Sequence, residues 1–193
     1  MQLENKFLKD FRRMFRLIKS NETFVAFDTE TTGLSPDTNR VIEIGAVKFN
    51  SNGILGSYNN LVNPNQPIPP EITALTSITE RMIQNERKIF QILPEFLDFI
   101  KDSIIIGHNI QFDIRFLNAE CLRNGFPPIK NDAIDTLMFS RWAFPELKRY
   151  KQTYMAEYLN LDIKEAHRAY DDAFVCGNLF LHLIKATADR QKI

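Results

Sequence analysis

The sequence predicts an α/β fold, a mixed sheet flanked by helices. Three β-like runs come early, at residues 23–28, 40–49 and 54–62, separated by the turn-rich SPDTN and by SNG. Helical patterns then alternate with a short apolar run, SIIIG, at 103–107. Strands first and alternation afterwards suit antiparallel strands extended by parallel ones beneath helices. At 193 residues, 44% hydrophobic and 11% aromatic, the chain can bury a substantial core, and its composition argues against disorder.

Taken in order, residues 3–19 place Phe7, Phe11, Met14, Phe15 and Ile18 at helical spacing with bases between them, an amphipathic helix that packs on the domain or meets a partner. Residues 1–20 hold six bases (Lys6, Lys9, Arg12, Arg13, Arg16, Lys19) against two acids, a net of +4. Because the whole chain is formally neutral, the remaining residues carry −4. The expected division is therefore a basic amphipathic helix at 1–20 and a main domain at 21–193. The three β-like runs read as a meander. After PNQPIPP the chain turns helical through about residue 102, and further helices follow SIIIG near 111–123, 136–143, 153–159 and 169–186. Asp135, just before one of them, reads as its N-cap.

Several classes are excluded or made improbable on composition. No run of about 18 apolar residues is present to span a bilayer, and the N-terminus lacks a secretory pattern, so a cytoplasmic protein without membrane contact is expected. Cys121 and Cys176 lack metal-ligand spacing and fall in apolar helical patterns, so no disulfide is expected. A neutral chain does not announce a nucleic-acid binder. A phosphate partner would need a local basic patch or bound cations to offset the acidic body.

Carboxylates in apolar settings carry the chemistry. In VAFDTETTGL, Ala26, Asp28 and Glu30 share one strand face, which puts the two acids about 7 Å apart at the backbone. Such neighbours repel and raise each other's pKa, and a hard divalent cation held by oxygen ligands removes the conflict. Taken alone, D-x-E reads more simply as a solvated turn before Gly33. In GHNIQFDIRFL, Asp113 falls in the first turn of a helix, where the dipole favours any acid, yet Phe116 and Leu117 share its face. In HRAYDDAFVCGNLFLHLI, Asp172 aligns with Ala169, Cys176, Leu179, Phe180 and Leu183, whereas Asp171 aligns with Val175, Asn178, His182 and Lys185. Asp172 therefore points toward the core, where an acid needs a cation or a hydrogen-bond donor. His167 precedes that helix and can lie over the same site.

In this order, DTETTGL, HNIQFDIRFL and HRAYDDA resemble the three sequence blocks of the DEDDh exonuclease family, which includes the epsilon proofreading subunit of bacterial DNA polymerase III and several RNA-trimming nucleases. VIEIGAVKF, LVNPNQPIP, LTSITERMI and IDTL add softer resemblance, with Ser77 standing where many relatives have glycine. The resemblance implies a ribonuclease-H-like mixed five-stranded sheet, three antiparallel strands followed by parallel ones. It implies that Asp28, Glu30, Asp113 and Asp172 bind two Mg²⁺ or Mn²⁺ ions and that His167 is the general base. It also implies that Thr31, Leu34, His108 and Asn109 contact the substrate, though turn and cap structure explains those positions as well. The expected activity is 3′→5′ hydrolysis at single-stranded or frayed DNA ends, releasing nucleoside 5′-monophosphates, with a DNA polymerase as a candidate partner. An RNA 3′ end is the alternative substrate; an inactive partner-recruiting module is the third reading. The stretch RWAFPELKRYKQTY, with Arg141, Lys148, Arg149 and Lys151 among aromatics, suits a single strand or a solvated loop with its rings packed below.

Overall fold

The three early runs pair as an antiparallel meander, Phe24–Thr31 (β1), Val41–Asn50 (β2) and Gly53–Leu61 (β3). A computed structural model describes residues 5–161 and 167–191. Ile104–Gly107 (β4) and Ala133–Asp135 (β5) add on the other side of β1 in parallel, giving the order β3-β2-β1-β4-β5. This is the expected ribonuclease-H-like mixed sheet. β5 is three residues long, too short to stand out as a β-like run.

Eight helices are described: Phe11–Lys19 (α1), Pro70–Thr76 (α2), Glu80–Ile83 (α3), Ile89–Ile100 (α4), Gln111–Arg123 (α5), Thr136–Ala143 (α6), Gln152–Tyr158 (α7) and Ala169–Gln191 (α8). Strand alternation sorts the core into two layers. Phe24, Ala26, Phe49 and Ile106 face Cys176, Leu179, Phe180 and Leu183 of α8, while Val25, Phe27, Ile44 and Ile105 face Phe96 of α4 and Ile114 and Leu117 of α5. Both cysteines are buried and free. No helix among the described residues is long and apolar enough to cross a membrane.

Two stretches differ from the sequence reading. The expected helix at 3–19 begins only at Phe11, capped by the Asp10 carboxylate, which accepts from the Arg12 amide at 2.9 Å; residues 3 and 4 lie outside the described residues. Residues 6–8 instead run beside β5, with the Leu8 amide on the Ala133 carbonyl (2.8 Å) and the Ala133 amide on the Lys6 carbonyl (2.9 Å). An edge strand's free backbone groups favour such pairing over another helical turn. The continuous helix expected to residue 102 is divided into α2, α3 and α4. Ser77 ends α2 in the left-handed region at φ 60°, and extended Thr79 and Lys88 precede the next two. The left-handed backbone explains why glycine suits position 77.

Candidate active site

The C-terminal ends of β1 and β4 and the N-terminal ends of α5 and α8 enclose a cleft of about 410 Å³. Its lining includes Asp28, Glu30, Asp113, Asp172, His167, His108, Asn109, Thr29, Phe112 and Gln152. Asp28 and Glu30 extend the β1 face that carries Ala26 and packs on α8. Asp113 arrives from α5 on the opposite face and is fixed by Thr29, whose amide (3.0 Å) and hydroxyl (2.8 Å) both donate to its Oδ1. Asp172 stands in the first turn of α8; its Oδ2 accepts from the His167 amide at 2.7 Å and its Oδ1 from Gln152 Nε2 at 3.0 Å. His167 is exposed, with a left-handed backbone at φ 65°. One ligand atom each from Glu30, His167 and Asp172 lie within 4.8 Å of one another.

Crowding four acids has an electrostatic cost. Burial, then repulsion from Asp113, Glu30 and Asp172, holds the Asp28 carboxyl well above its ordinary value. Burial and then Asp172, Glu43 and Asp113 push Glu30 up to about 8, with Arg168 opposing. Burial raises Asp113 against the two Thr29 hydrogen bonds, and burial raises Asp172 against the His167 amide. No hydrogen bond from a described residue reaches the carboxylate of Asp28 or Glu30, so cations rather than protein donors fit these oxygens. An all-oxygen donor set of this kind, with one imidazole at its rim, suits Mg²⁺ or Mn²⁺.

The other expected contact residues divide. Leu34 projects from the loop after β1 with 84% of its surface exposed, an apolar side chain without a core to join. Thr31 is buried, its hydroxyl donating to the Gly33 carbonyl at 2.6 Å, which shapes that loop. Asn109 is exposed, at φ 69°, and its amide donates to Asp135 Oδ1 at 3.1 Å. His108 has both ring nitrogens occupied, Nε2 at 2.7 Å from the Tyr150 carbonyl and Nδ1 at 3.0 Å from the Thr136 hydroxyl. A carbonyl only accepts, so Nε2 carries the proton, and burial pulls the ring pKa down and keeps it neutral. His108 therefore ties the cleft wall to α6 and the segment before α7. Asp135 caps α6 as expected, accepting from the Leu137 amide at 2.9 Å.

Three supporting residues escaped the sequence reading. Fully buried Glu43 on β2 accepts from the Arg168 guanidinium, at 2.7 Å from Nη2, and from the Ala169 amide at 3.0 Å, which fixes the start of α8. Gly45 lies directly under that start: a Cβ there would sit 2.0 Å from the Tyr170 nitrogen. An acid and a glycine inside an otherwise apolar strand were the available signal, since both mark a partner or a close backbone approach. Gln152 adds a donor to Asp172, for which its loop-like context gave no sign.

A family model described as Exonuclease (RNase_T) matches residues 25–180. The chain is 38% identical to DNA polymerase III subunit epsilon of Treponema pallidum over 169 residues, covering 86% of this chain and 79% of that protein. It is also 38% identical to DNA polymerase III PolC-type of Clostridium perfringens over 173 residues, covering 90% of this chain but only 12% of that much longer protein. Among solved structures, E. coli Exonuclease I in complex with a dA16 oligonucleotide superposes with a TM-score of 0.77 at 20% identity, over 88% of this chain and 42% of that one. Exonuclease X in complex with 5′ overhanging duplex DNA superposes with a TM-score of 0.68 at 24% identity, over 86% and 93%.

Proposed function

The chain belongs to the DEDDh 3′→5′ exonuclease family, and on that premise we propose that it trims single-stranded or frayed DNA from the 3′ end, releasing nucleoside 5′-monophosphates. The observation that carries the proposal is the convergence of Asp28, Glu30, Asp113, Asp172 and His167, from three distant segments, on one cleft. When bound, two Mg²⁺ or Mn²⁺ ions would supply water activation and a counter-charge for the leaving 3′-oxygen. Asp28, Glu30 and Asp172 would hold one ion, and Asp28 with Asp113 the other. The imidazole of His167, exposed at the cleft, takes the proton of the attacking water at a ring nitrogen. Its closeness to Glu30 and Asp172 also suits a ligand, a second role that metal titration separates. Leu34 packs against the terminal base, Thr31 shapes the loop that presents it, Asn109 lies beside the strand, and His108 keeps the opposite wall in place.

DNA is favoured because the similar proteins include a DNA polymerase subunit and an exonuclease solved with a DNA oligonucleotide. Similarity to that subunit and to part of a PolC-type polymerase likewise supports a DNA polymerase as partner and a cytoplasmic setting. Matched 5′-labelled DNA and RNA strands, digested side by side with Mn²⁺, test the substrate. Faster shortening of DNA is expected; faster shortening of RNA would overturn the choice of DNA.

A further inference from the structure

Beside the catalytic cleft, across the loop that carries Asn109, lies a hollow of about 300 Å³ whose lining includes Lys9, Gln111, Asp135, Met138 and Trp142. The two are adjacent. Asn109 lines the cleft, and its amide donates at 3.1 Å to Asp135, which lines the hollow together with Gln111 at the start of α5. A second hollow of about 310 Å³ runs over α1 between Phe11, Arg12, Phe15 and Arg16. Trp142, 52% exposed, lines the first hollow, and Phe11, which lines the second, stacks against it with ring centres 5.9 Å apart at 25°. Bracing of that kind leaves an indole rigid and still open to a further ring.

Arg12 and Arg16 stand one helical turn apart on the exposed side of α1, and among the described residues neither pairs with an acid. Their unneutralised charge sits beside a domain that is otherwise acidic. We propose that α1 and α6 form a subsite for single-stranded nucleic acid, holding the strand several nucleotides behind its 3′ end. Trp142 stacks on a base while Arg12 and Arg16 take phosphates, the combination of ring platform and cations that single strands require. An apolar hollow alone suits a protein partner; the unpaired cations of the neighbouring α1 hollow and adjacency to the cleft favour the strand. The subsite rests on the proposed 3′-end reading and gives that reading a grip the acidic cleft itself lacks.

Trp142 is the single tryptophan, so intrinsic fluorescence reads the subsite directly. In excess chelator, where strands survive, a dT16 oligonucleotide should quench it and a dT3 should do so weakly. The exchange of Arg12→Glu with Arg16→Glu should weaken dT16 binding roughly tenfold and lower the salt slope by about 1.4, with Mn²⁺-supported turnover of dT3 unchanged. Trp142→Leu, followed by anisotropy of labelled dT16, should weaken binding on the order of tenfold. Unquenched fluorescence at saturating dT16, or wild-type dT16 affinity in the double variant, would overturn the subsite and leave the hollow to a protein partner. Loss of dT3 turnover in parallel with dT16 affinity would overturn it in favour of a structural role. Because quenching is read without turnover, a quenched but inactive protein would retain the subsite and defeat the exonuclease reading instead.

Discussion

Asp171 and Asp172 are neighbours in sequence with different surroundings. Asp172 is held by the His167 amide and Gln152 inside the cleft, whereas Asp171 is not among the groups that line it. Asp172→Asn should therefore lower the single-turnover rate by at least about 10³-fold and Asp171→Asn by only a few-fold, while His167→Ala costs about 10²–10⁴-fold with Mn²⁺ affinity little changed. Rates and calorimetric Mn²⁺ titrations across these variants check the series; equal losses at 171 and 172 would contradict it, and loss of metal with His167→Ala would make the imidazole a ligand. A second prediction concerns pH. Glu30 is pushed from its ordinary 4.5 to about 8, and Asp28 is raised as well, so the folded ion-free protein keeps protons that the unfolded chain has already released. Stability from these groups is complete below about pH 4.5 and lost as pH rises through about 8. The melting temperature in chelator should fall between pH 5 and 8, and Mn²⁺ should remove the fall; a flat profile in chelator would contradict this.

The start of α8 decides whether the acids meet. Glu43 ties it down through Arg168 and the Ala169 amide, and Gly45 allows its backbone to rest on β2. Gly45→Ala should push α8 away from β1 and lower activity about 10²-fold, since ångström-scale misplacement of a catalytic group costs that much; circular dichroism should still report a folded protein. Wild-type activity would show that the contact is not needed. At this scale much was legible in the sequence. Alternation exposed β1 and β2, and the 3.6-residue period of α8 separated Asp172 from Asp171, because both patterns are imposed by a single buried face. The three-residue β5 is too short for any period, the division of the 70–102 stretch depends on backbone angles at Ser77 and Thr79, and the clamp on His108 joins residues far apart in sequence. The acids and the histidine that line the cleft lie in motifs and could be picked out as candidates, while their supports on other elements could not.

Across the whole molecule, residues 5–20 are joined to the rest of the fold by backbone pairing with β5 and by burial of Leu8, Phe11 and Met14 against the α6–α8 layer. Starting the chain at Asn21 should leave every proposed catalytic residue in place but remove about 5 kcal/mol of apolar burial and expose Phe139 and Trp142, so the shortened protein should melt earlier or aggregate. Unchanged melting would mean that the segment contributes nothing to the core. The central claim, cation-dependent hydrolysis from a free 3′ end, is tested most directly by incubating linear and circular single-stranded DNA with the full chain, in Mn²⁺ and in excess chelator, and identifying the products. The account predicts nucleoside 5′-monophosphates from the linear strand in Mn²⁺, an intact circle, and no product in chelator. Rapid cutting of the circle, or full activity in chelator, would contradict it.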